Sequence, residues 1–229
     1  MKISVALAAY NGEKYIEKQI NSILCQIRND DEIIVSDDNP GSEMSKLVKQ
    51  MAESDSRIKY IEGPSQGVIK NFENAIKHTT GDVIFLCDQD DVWLEDKVLY
   101  VMREIESGAD LILHDAIVTD AELNTVCDSF FRKNFSKEGL INNIVKNSFM
   151  GCCMAFKSKL KDDILPFPNK IPMHDQWIGL VAQKKYNVKF INKPLILYRV
   201  HGNNLTGGKT KLNQKIKWRI NLCKNLIRK

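Results

Sequence analysis

Residues 83–93 constrain this chain more than any other stretch. An apolar run, Val83-Ile-Phe-Leu-Cys87, ends in Asp88, Gln89, Asp90 and Asp91, followed by Val92 and Trp93. A strand that buried does not finish in three carboxylates unless something cationic meets them. Side chains at i and i+2 of a strand share a side, so Asp88 and Asp90 face one pocket and Asp91 points elsewhere. Two hard oxygen ligands at the carboxyl end of a strand suit Mg²⁺ or Mn²⁺, and such a metal would mainly hold a diphosphate. In open α/β sheets that edge is where ligands bind. Three acids without a counter-charge repel one another, which again favours a cation.

The elements around this run alternate. Residues 3–8 read as a strand and 13–26 as a helix, with Tyr15, Ile16, Ile20, Ile23 and Leu24 on one face. Residues 32–36 form a strand that runs into Asp37-Asp38, and 43–53 a helix. Residues 58–61 form a strand closed by Gly63-Pro64, and 67–78 a helix; the Asp88 strand starts at Gly81. This spacing predicts βαβ units and a mainly parallel sheet flanked by helices. Right-handed crossovers then place Ala9, Asp37 and Asp88 along one edge. Beyond residue 93 the spacing predicts helices over 94–105 and 175–185, and strands over 109–118, 150–156, 188–191 and 195–200. Residues 119–148 are polar and mixed, and Pro166, Pro168 and Pro172 mark a loop.

With 229 residues, 43% of them hydrophobic, the chain suits one α/β domain with a small appendage. Its formal charge of +4 is unevenly placed. Residues 209–229 hold eight Lys or Arg and no acid; the remainder has 25 basic against 29 acidic residues. The body therefore does not have the charge of a nucleic-acid binder. In the tail Leu212, Ile216, Ile220, Cys223 and Ile227 recur at helical spacing, with Lys217, Lys224 and Arg228 opposite. Such a basic amphipathic helix either lies on a membrane surface or packs its apolar face on the body or on a second copy in a homodimer. The six cysteines include no Cys-x-x-Cys pair and fit free thiols in a reducing cytosol. The apolar start of the chain runs into the turn Tyr10-Asn11-Gly12, too early for a signal peptide. No 18-residue apolar stretch is present to span a membrane.

Taken in order, the motifs resemble the family-2 glycosyltransferases of GT-A (Rossmann-like) fold, over residues 1–204. They are Ala9-Tyr10-Asn11-Gly12, Asp37-Asp38, Asp88-Gln89-Asp90-Asp91, Gly151 at the head of a strand, His174-Asp175-Gln176-Trp177, and Tyr198-Arg199-Val200-His201-Gly202-Asn203-Asn204. The Asp-Gln-Asp-Asp-x-Trp, His-Asp-x-Trp and Tyr-Arg-x-His set is most similar to the bacterial rhamnosyl- and galactosyltransferase-like branch that builds surface polysaccharides. The resemblance implies a nucleotide-sugar half over residues 1–110, an acceptor half over 111–204, and the basic helical tail over 205–229.

It also implies roles. The backbone of Ala9, Tyr10 and Asn11, with Asp37 and Asp38, would hold the nucleotide. One departure is Asn39-Pro40, where the family usually shows Gly-Ser; Pro40 pushes Asn39 towards extended geometry. Gly67 permits close backbone approach at a helix start. Lys70 reaches the diphosphate or is simply an exposed lysine. Asp88 would contact ribose or a metal-bound water, Asp90 and His201 would hold the metal, and Arg199 would clamp phosphate. Asp91 touches the sugar or caps the next helix. Trp93 and Trp177 stack on sugar faces, or Trp93 anchors a helix start. Gly151 lines the acceptor cleft. Asp175 matches the family's base, with His174 as a neighbour that tunes or orients it, or Asp175 caps the following helix. Gly202 and Gly207-Gly208 suggest a mobile loop closing over the donor.

The function implied is inverting, metal-dependent transfer of a hexose from a UDP- or dTDP-sugar to a hydroxyl of a capsule, O-antigen or cell-wall glycan. The resemblance also admits an acceptor carried on a lipid, which would place the enzyme in the cytoplasm at the inner face of the cell membrane. The other reading is a non-catalytic nucleotide-sugar-binding subunit of an active transferase. A phosphohydrolase or nucleotidyltransferase would need a nucleophile or a Gly/Arg-rich triphosphate loop near the first strand, and none is present.

Overall fold

The computed structural model describes residues 1–202 and 211–229. The first half is β1 (Ile3–Ala9), α1 (Ile16–Leu24), β2 (Glu32–Asp37), α2 (Glu43–Ser54), β3 (Ile58–Glu62), α3 (Val68–His78) and β4 (Val83–Asp88). The four strands lie in the order β3-β2-β1-β4, all parallel. Every residue of β1 and β2 is buried, which is why their sequences are near-continuous apolar runs rather than alternating ones. The helices bury stripes at helical spacing: Ile16, Gln19, Ile20 and Ile23 on α1, and Phe72, Ala75 and Ile76 on α3. Ala9 pairs with Asp37 and Ala8 with Asp88, so the carboxyl ends of the three strands share one edge.

The second half is β5 (Val92–Trp93), α4 (Lys97–Glu106), β6 (Leu111–Thr119), β7 (Thr125–Cys127), α5 (Phe130–Asn134), α6 (Leu140–Val145), β8 (Met154–Lys157), α7 (Lys161–Ile164), α8 (His174–Lys185), β9 (Val188–Arg199) and α9 (Leu212–Arg228). Here the sheet becomes mixed. β8 is antiparallel to both β4 and β6, β9 runs parallel to β6, β5 is antiparallel to β9, and β7 pairs β6. One nine-stranded sheet thus runs through both halves. Helix α8 is buried on all sides from His174 to Ala182, and Trp177 is inside the core with its Nε1 donating to the Ile164 carbonyl at 2.9 Å.

Several boundaries differ from the sequence reading. The helix expected from residue 94 starts at Lys97, because Val92 and Trp93 pair with Leu197 and Ile196 of β9. Trp93 is therefore a strand residue packed on Phe85, not a helix start. The strand expected over 150–156 begins only at Met154, after a tight 3-10 turn at Gly151–Cys153. The two short strands at 188–191 and 195–200 are one, with a register shift where Asp115 meets Pro194, a residue with no N–H for the ladder. Helix α9 docks through Leu222 and Leu226 rather than the Ile216–Ile220–Ile227 stripe, which is exposed. All six cysteines are free, with Cys87, Cys152 and Cys153 buried. Among the described residues no helix is long and apolar enough to cross a membrane.

Glu32 staples the base of the sheet. Its carboxylate accepts from Ser4 Oγ at 2.6 Å, Thr80 N at 2.7 Å and Lys59 Nζ at 2.5 Å, joining β1, β2 and β3 to the entry of β4. Burial alone would raise its pKa; the hydrogen bonds from Lys59, Ser4 and Thr80 outweigh burial and hold it at about 2. A lowered pKa means stabilisation that is complete above the unfolded value and lost as pH falls through the folded one. Glu32→Gln should cost about 2–3 kcal/mol in urea denaturation at pH 7, with the deficit shrinking as the pH falls from 4.5 towards 2.

Candidate functional site

A cavity of about 830 Å³ opens at the carboxyl ends of β1, β2 and β4. Ala9, Tyr10 and Asn11 line it from the end of β1, Asp38 from β2, Gly67 from the start of α3, and Asp88 and Asp90 from β4. Gly151, His174, Asp175 and His201 close it from the second half. Residues far apart in sequence thus line one cavity. Asp37, Lys70, Asp91, Trp93, Trp177 and Arg199 do not line it.

The first-half wall of the cavity is built from backbone. Asp38 accepts from Gly67 N at 2.7 Å and Gln66 N at 3.3 Å, which fixes the N-terminus of α3 at the cavity wall. Gly67 has φ +85°, a region that favours glycine. Asp37, one residue away, is fully buried: it accepts from Ser45 Oγ, from Tyr60 OH at 3.0 Å and from Asn39 N at 3.0 Å. It braces the turn rather than facing a ligand, since adjacent strand residues point to opposite faces. Lys70 is turned along the helix to Glu73, 2.6 Å away. The next residue, Asn71, takes the inward position: its Nδ2 donates to the carbonyls of Ala9 at 3.1 Å and Ser36 at 2.8 Å. Gln89 clamps the first loop, accepting from Tyr10 N at 2.7 Å and donating to Tyr10 O at 2.9 Å. Neither role was legible in the sequence, because both are side-chain contacts to the backbone of residues far away in the chain.

The carboxylates at the end of β4 have separate surroundings. Asp90 Oδ2 and His201 Nε2 are 2.7 Å apart. Arg199 braces Asp90 from behind, with Nε donating to the Asp90 carbonyl at 2.6 Å and NH1 to that of Ala121, over the Tyr15 ring. The guanidinium thus holds backbone and does not reach the cavity. Asp91 is fully buried and accepts from Arg199 N at 2.9 Å; α4 begins after Asp96, so Asp91 neither caps that helix nor faces a sugar. Burial, with Asp90 and then Asp175 nearby, pushes Asp88 up to about 7. Lys97, fully buried, donates to the Cys152 carbonyl at 2.8 Å and lies 4.2 Å over the Trp93 ring. Trp93 and Trp177 are both core residues.

Opposite stands Asp175, in the first turn of α8 but not its cap, which is Met173. Its Oδ1 accepts from Gln176 N at 2.5 Å and Asn147 Nδ2 at 3.5 Å, and burial pushes its pKa up to about 7. His174 stacks on Phe72 with ring centroids 3.9 Å apart. Burial pushes its pKa down to about 3, so its imidazole is neutral near pH 7. A Cβ on Gly151 would lie 2.9 Å from His174 Nε2, so this wall needs glycine. The pair Asp90 and His201, a carboxylate and an imidazole at the cavity edge beside Asp88, fits a divalent cation such as Mn²⁺ or Mg²⁺. Gly202 is exposed; Gly207-Gly208 of the expected loop lies outside the described residues.

Residues 4–165 match the model of glycosyl transferase family 2. The chain belongs to that family. It is 27% identical over 213 residues to GalNAc(5)-diNAcBac-PP-undecaprenol beta-1,3-glucosyltransferase of Campylobacter jejuni, covering 87% of this chain and 65% of that protein. It is 25% identical over 215 residues to the UDP-Glc:alpha-D-GlcNAc-diphosphoundecaprenol beta-1,3-glucosyltransferase WfgD of Escherichia coli, covering 91% of this chain and 81% of that one. Staphylococcus aureus TarS residues 1–349, in complex with UDP-GlcNAc, superimposes with a TM-score of 0.78 at 18% identity, covering 98% of this chain and 66% of that one. The mannosyltransferase PcManGT of Pyrobaculum calidifontis, with GDP-Man and Mn²⁺, gives 0.66 at 18% identity, covering all of this chain and 64% of its own. The fold is GT-A.

The raised pKa of Asp175 has a stability consequence. The unfolded carboxyl ionises near pH 4 and the folded one only near 7, so burial of Asp175 costs progressively more as pH rises between them and a constant amount above. Asp175→Asn should therefore stabilise the protein at pH 8, on the order of 2 kcal/mol, and leave it unchanged near pH 4. Paired thermal melts at the two pH values read this.

Proposed function

We propose that this chain carries out inverting, metal-dependent transfer of a hexose from a UDP- or dTDP-sugar to a hydroxyl of a bacterial surface glycan carried on a lipid diphosphate. The observation that carries the reading is that Asp175, with a pKa of about 7, and the Asp90–His201 pair line the same cavity. An inverting transfer needs these two things on either side of an anomeric carbon. The names of the relatives, two of which act on undecaprenol-linked acceptors and one of which uses UDP-Glc, support the donor and acceptor classes.

In this mechanism the acceptor hydroxyl gives its proton to the Asp175 carboxylate as its oxygen attacks the anomeric carbon, and the bond from that carbon to the diphosphate oxygen breaks. A base is most effective when its pKa lies near the working pH. Gln176 N and Asn147 aim the carboxylate. Asp90 and His201 would hold Mn²⁺ or Mg²⁺, which would supply positive charge to the leaving diphosphate. Arg199 fixes the Asp90 backbone so that its carboxylate stays at the cavity edge. Asp38 and the α3 terminus, with the loop clamped by Gln89, would receive the nucleotide, and Asp88 its ribose. Gly151 and His174 would form the acceptor side, with an uncharged wall around the base. A subunit that only bound nucleotide-sugar would have no use for a buried, cavity-facing carboxylate with so high a pKa.

UDP or dTDP should raise the melting temperature in the presence of Mn²⁺ more than GDP or CDP; no response to any of the four would remove the donor site. Asp175→Asn should keep that nucleotide response and lower transfer about 10²–10⁴-fold. In the unmodified protein the rate should climb with pH through about 7 and level off, because the base must be ionised. A flat profile from pH 5 to 9 would take Asp175 out of that role. Gln89→Ala, which frees the Tyr10 loop, should weaken nucleotide binding about tenfold.

A further inference from the structure

Helix α9 keeps three residues of its predicted apolar stripe in solvent, while a fourth, Cys223, is half-buried. Leu222 and Leu226 face the body, while Ile216 is 44%, Ile220 48% and Ile227 80% exposed. Lys217, Lys224 and Arg228, all exposed, lie beside the stripe at helical spacing rather than opposite it as the sequence reading had them. Arg219 lies on the other and donates to the Val145 carbonyl of α6 at 2.5 Å. That contact brings a second, unforeseen apolar pair into place. Ile141 and Val145, one turn apart on α6, are 78% and 59% exposed, while Leu140 and Ile144 pack inward. Phe135, between α5 and α6, is 75% exposed beneath the Lys146 ammonium.

Charge follows the same segments. Residues 130–147 carry Arg132, Lys133, Lys137 and Lys146 against Glu138 alone, and residues 211–229 carry seven bases and no acid. The rest of the chain has 22 basic against 28 acidic residues. The positive charge is therefore concentrated where exposed aliphatic side chains are.

We propose that α6 and α9 together form one face that lies on an anionic lipid bilayer. Isolated aliphatic side chains in a field of lysines and arginines match the headgroup boundary of such a membrane. A second copy of the chain would bring the same positive face against itself across a two-fold axis and be repelled. The position has a consequence for the site. Two residues after α6, Asn147 bonds Asp175, and Gly151 follows on the cavity wall. The face thus sets the acceptor side of the cavity against lipid headgroups, an inference that rests on the transferase reading for its lipid-linked acceptor.

The test is co-sedimentation of the whole chain with vesicles of phosphatidylglycerol and phosphatidylethanolamine, compared with phosphatidylcholine alone. Binding should require the anionic lipid and weaken with salt. Ile141→Asp with Val145→Asp, and separately Ile216→Asp with Ile220→Asp, should each reduce binding about tenfold, while Leu99→Asp on exposed α4 leaves it unchanged. Circular dichroism melts establish that each variant is folded. Absence of vesicle binding, normal binding by the α6 pair, or a dimer in solution that the same substitutions dissociate would each overturn the proposal. The nucleotide-induced melting shift is measured on the same preparation. If it persists while vesicle binding fails, only the membrane face is lost; if it too fails, the transferase reading goes with it.

Discussion

The structure is organised around the cost of ending a buried strand in carboxylates. β4 runs through the centre of the sheet and delivers Asp88, Asp90 and Asp91 within four residues. Like charges so close in a low-dielectric interior repel strongly. The protein answers by giving each acid a different environment. Asp91 takes a backbone N–H from Arg199, with the buried Lys97 ammonium near it. Asp90 keeps His201 as partner, and Asp88 is left beside the cavity with its pKa raised. Held up to about 7, Asp88 keeps its proton over much of the acidic range, which lowers the repulsion among the three.

That requirement explains the long reach of the second half. β9 has no register of its own with β4; it arrives beside β5 and β6 and sends Arg199 and His201 back to the β4 end. The two residues, spaced i and i+2, converge on one residue, Asp90: one on its carbonyl, the other on its carboxylate. Tyr15 from the α1 start lies against both, 4.6 Å from Arg199 and 5.1 Å from His201 by ring centroid. Three segments separated by more than a hundred residues in all thus fix one carboxylate. Asp175 on the opposite wall is fixed as indirectly, through Asn147 and the Gly151 turn.

Much of the first half was legible in the chain. Runs such as 83–87 read as strands covered on both faces, the alternation of strands and helices made the first half parallel, and the crossover rule then aligned Ala9, Asp37 and Asp88. The site positions that line the cavity were found by motif order. The misses share a cause. Asp37, Lys70, Asp91 and Arg199 have the right chemistry for a ligand, but each is engaged by protein, Asp91 through Oδ1 alone while its Oδ2 is buried without a partner among the described residues, and the partners (Ser45, Glu73, the Arg199 N–H, the carbonyls of Asp90 and Ala121) lie in elements whose packing no local pattern reveals. Trp93 and Trp177 look like sugar platforms by type and prove to be core. In α9 the stripe with the strongest helical period is not the one that docks, because the body offers its groove to Leu222 and Leu226.

The sequence by itself determined the periodicity, the alternating order of elements, and the chemistry available at each strand end, since these depend on bonded neighbours and on what burial requires of a residue. Only the tertiary structure decided which of two adjacent groups faces the cavity. Asp38 rather than Asp37, and Asn71 rather than Lys70, face inward because a rotation of one residue carries a side chain from ligand to core or solvent. That rotation is set by the register between strands and by the docking of helices, which are properties of the assembled sheet.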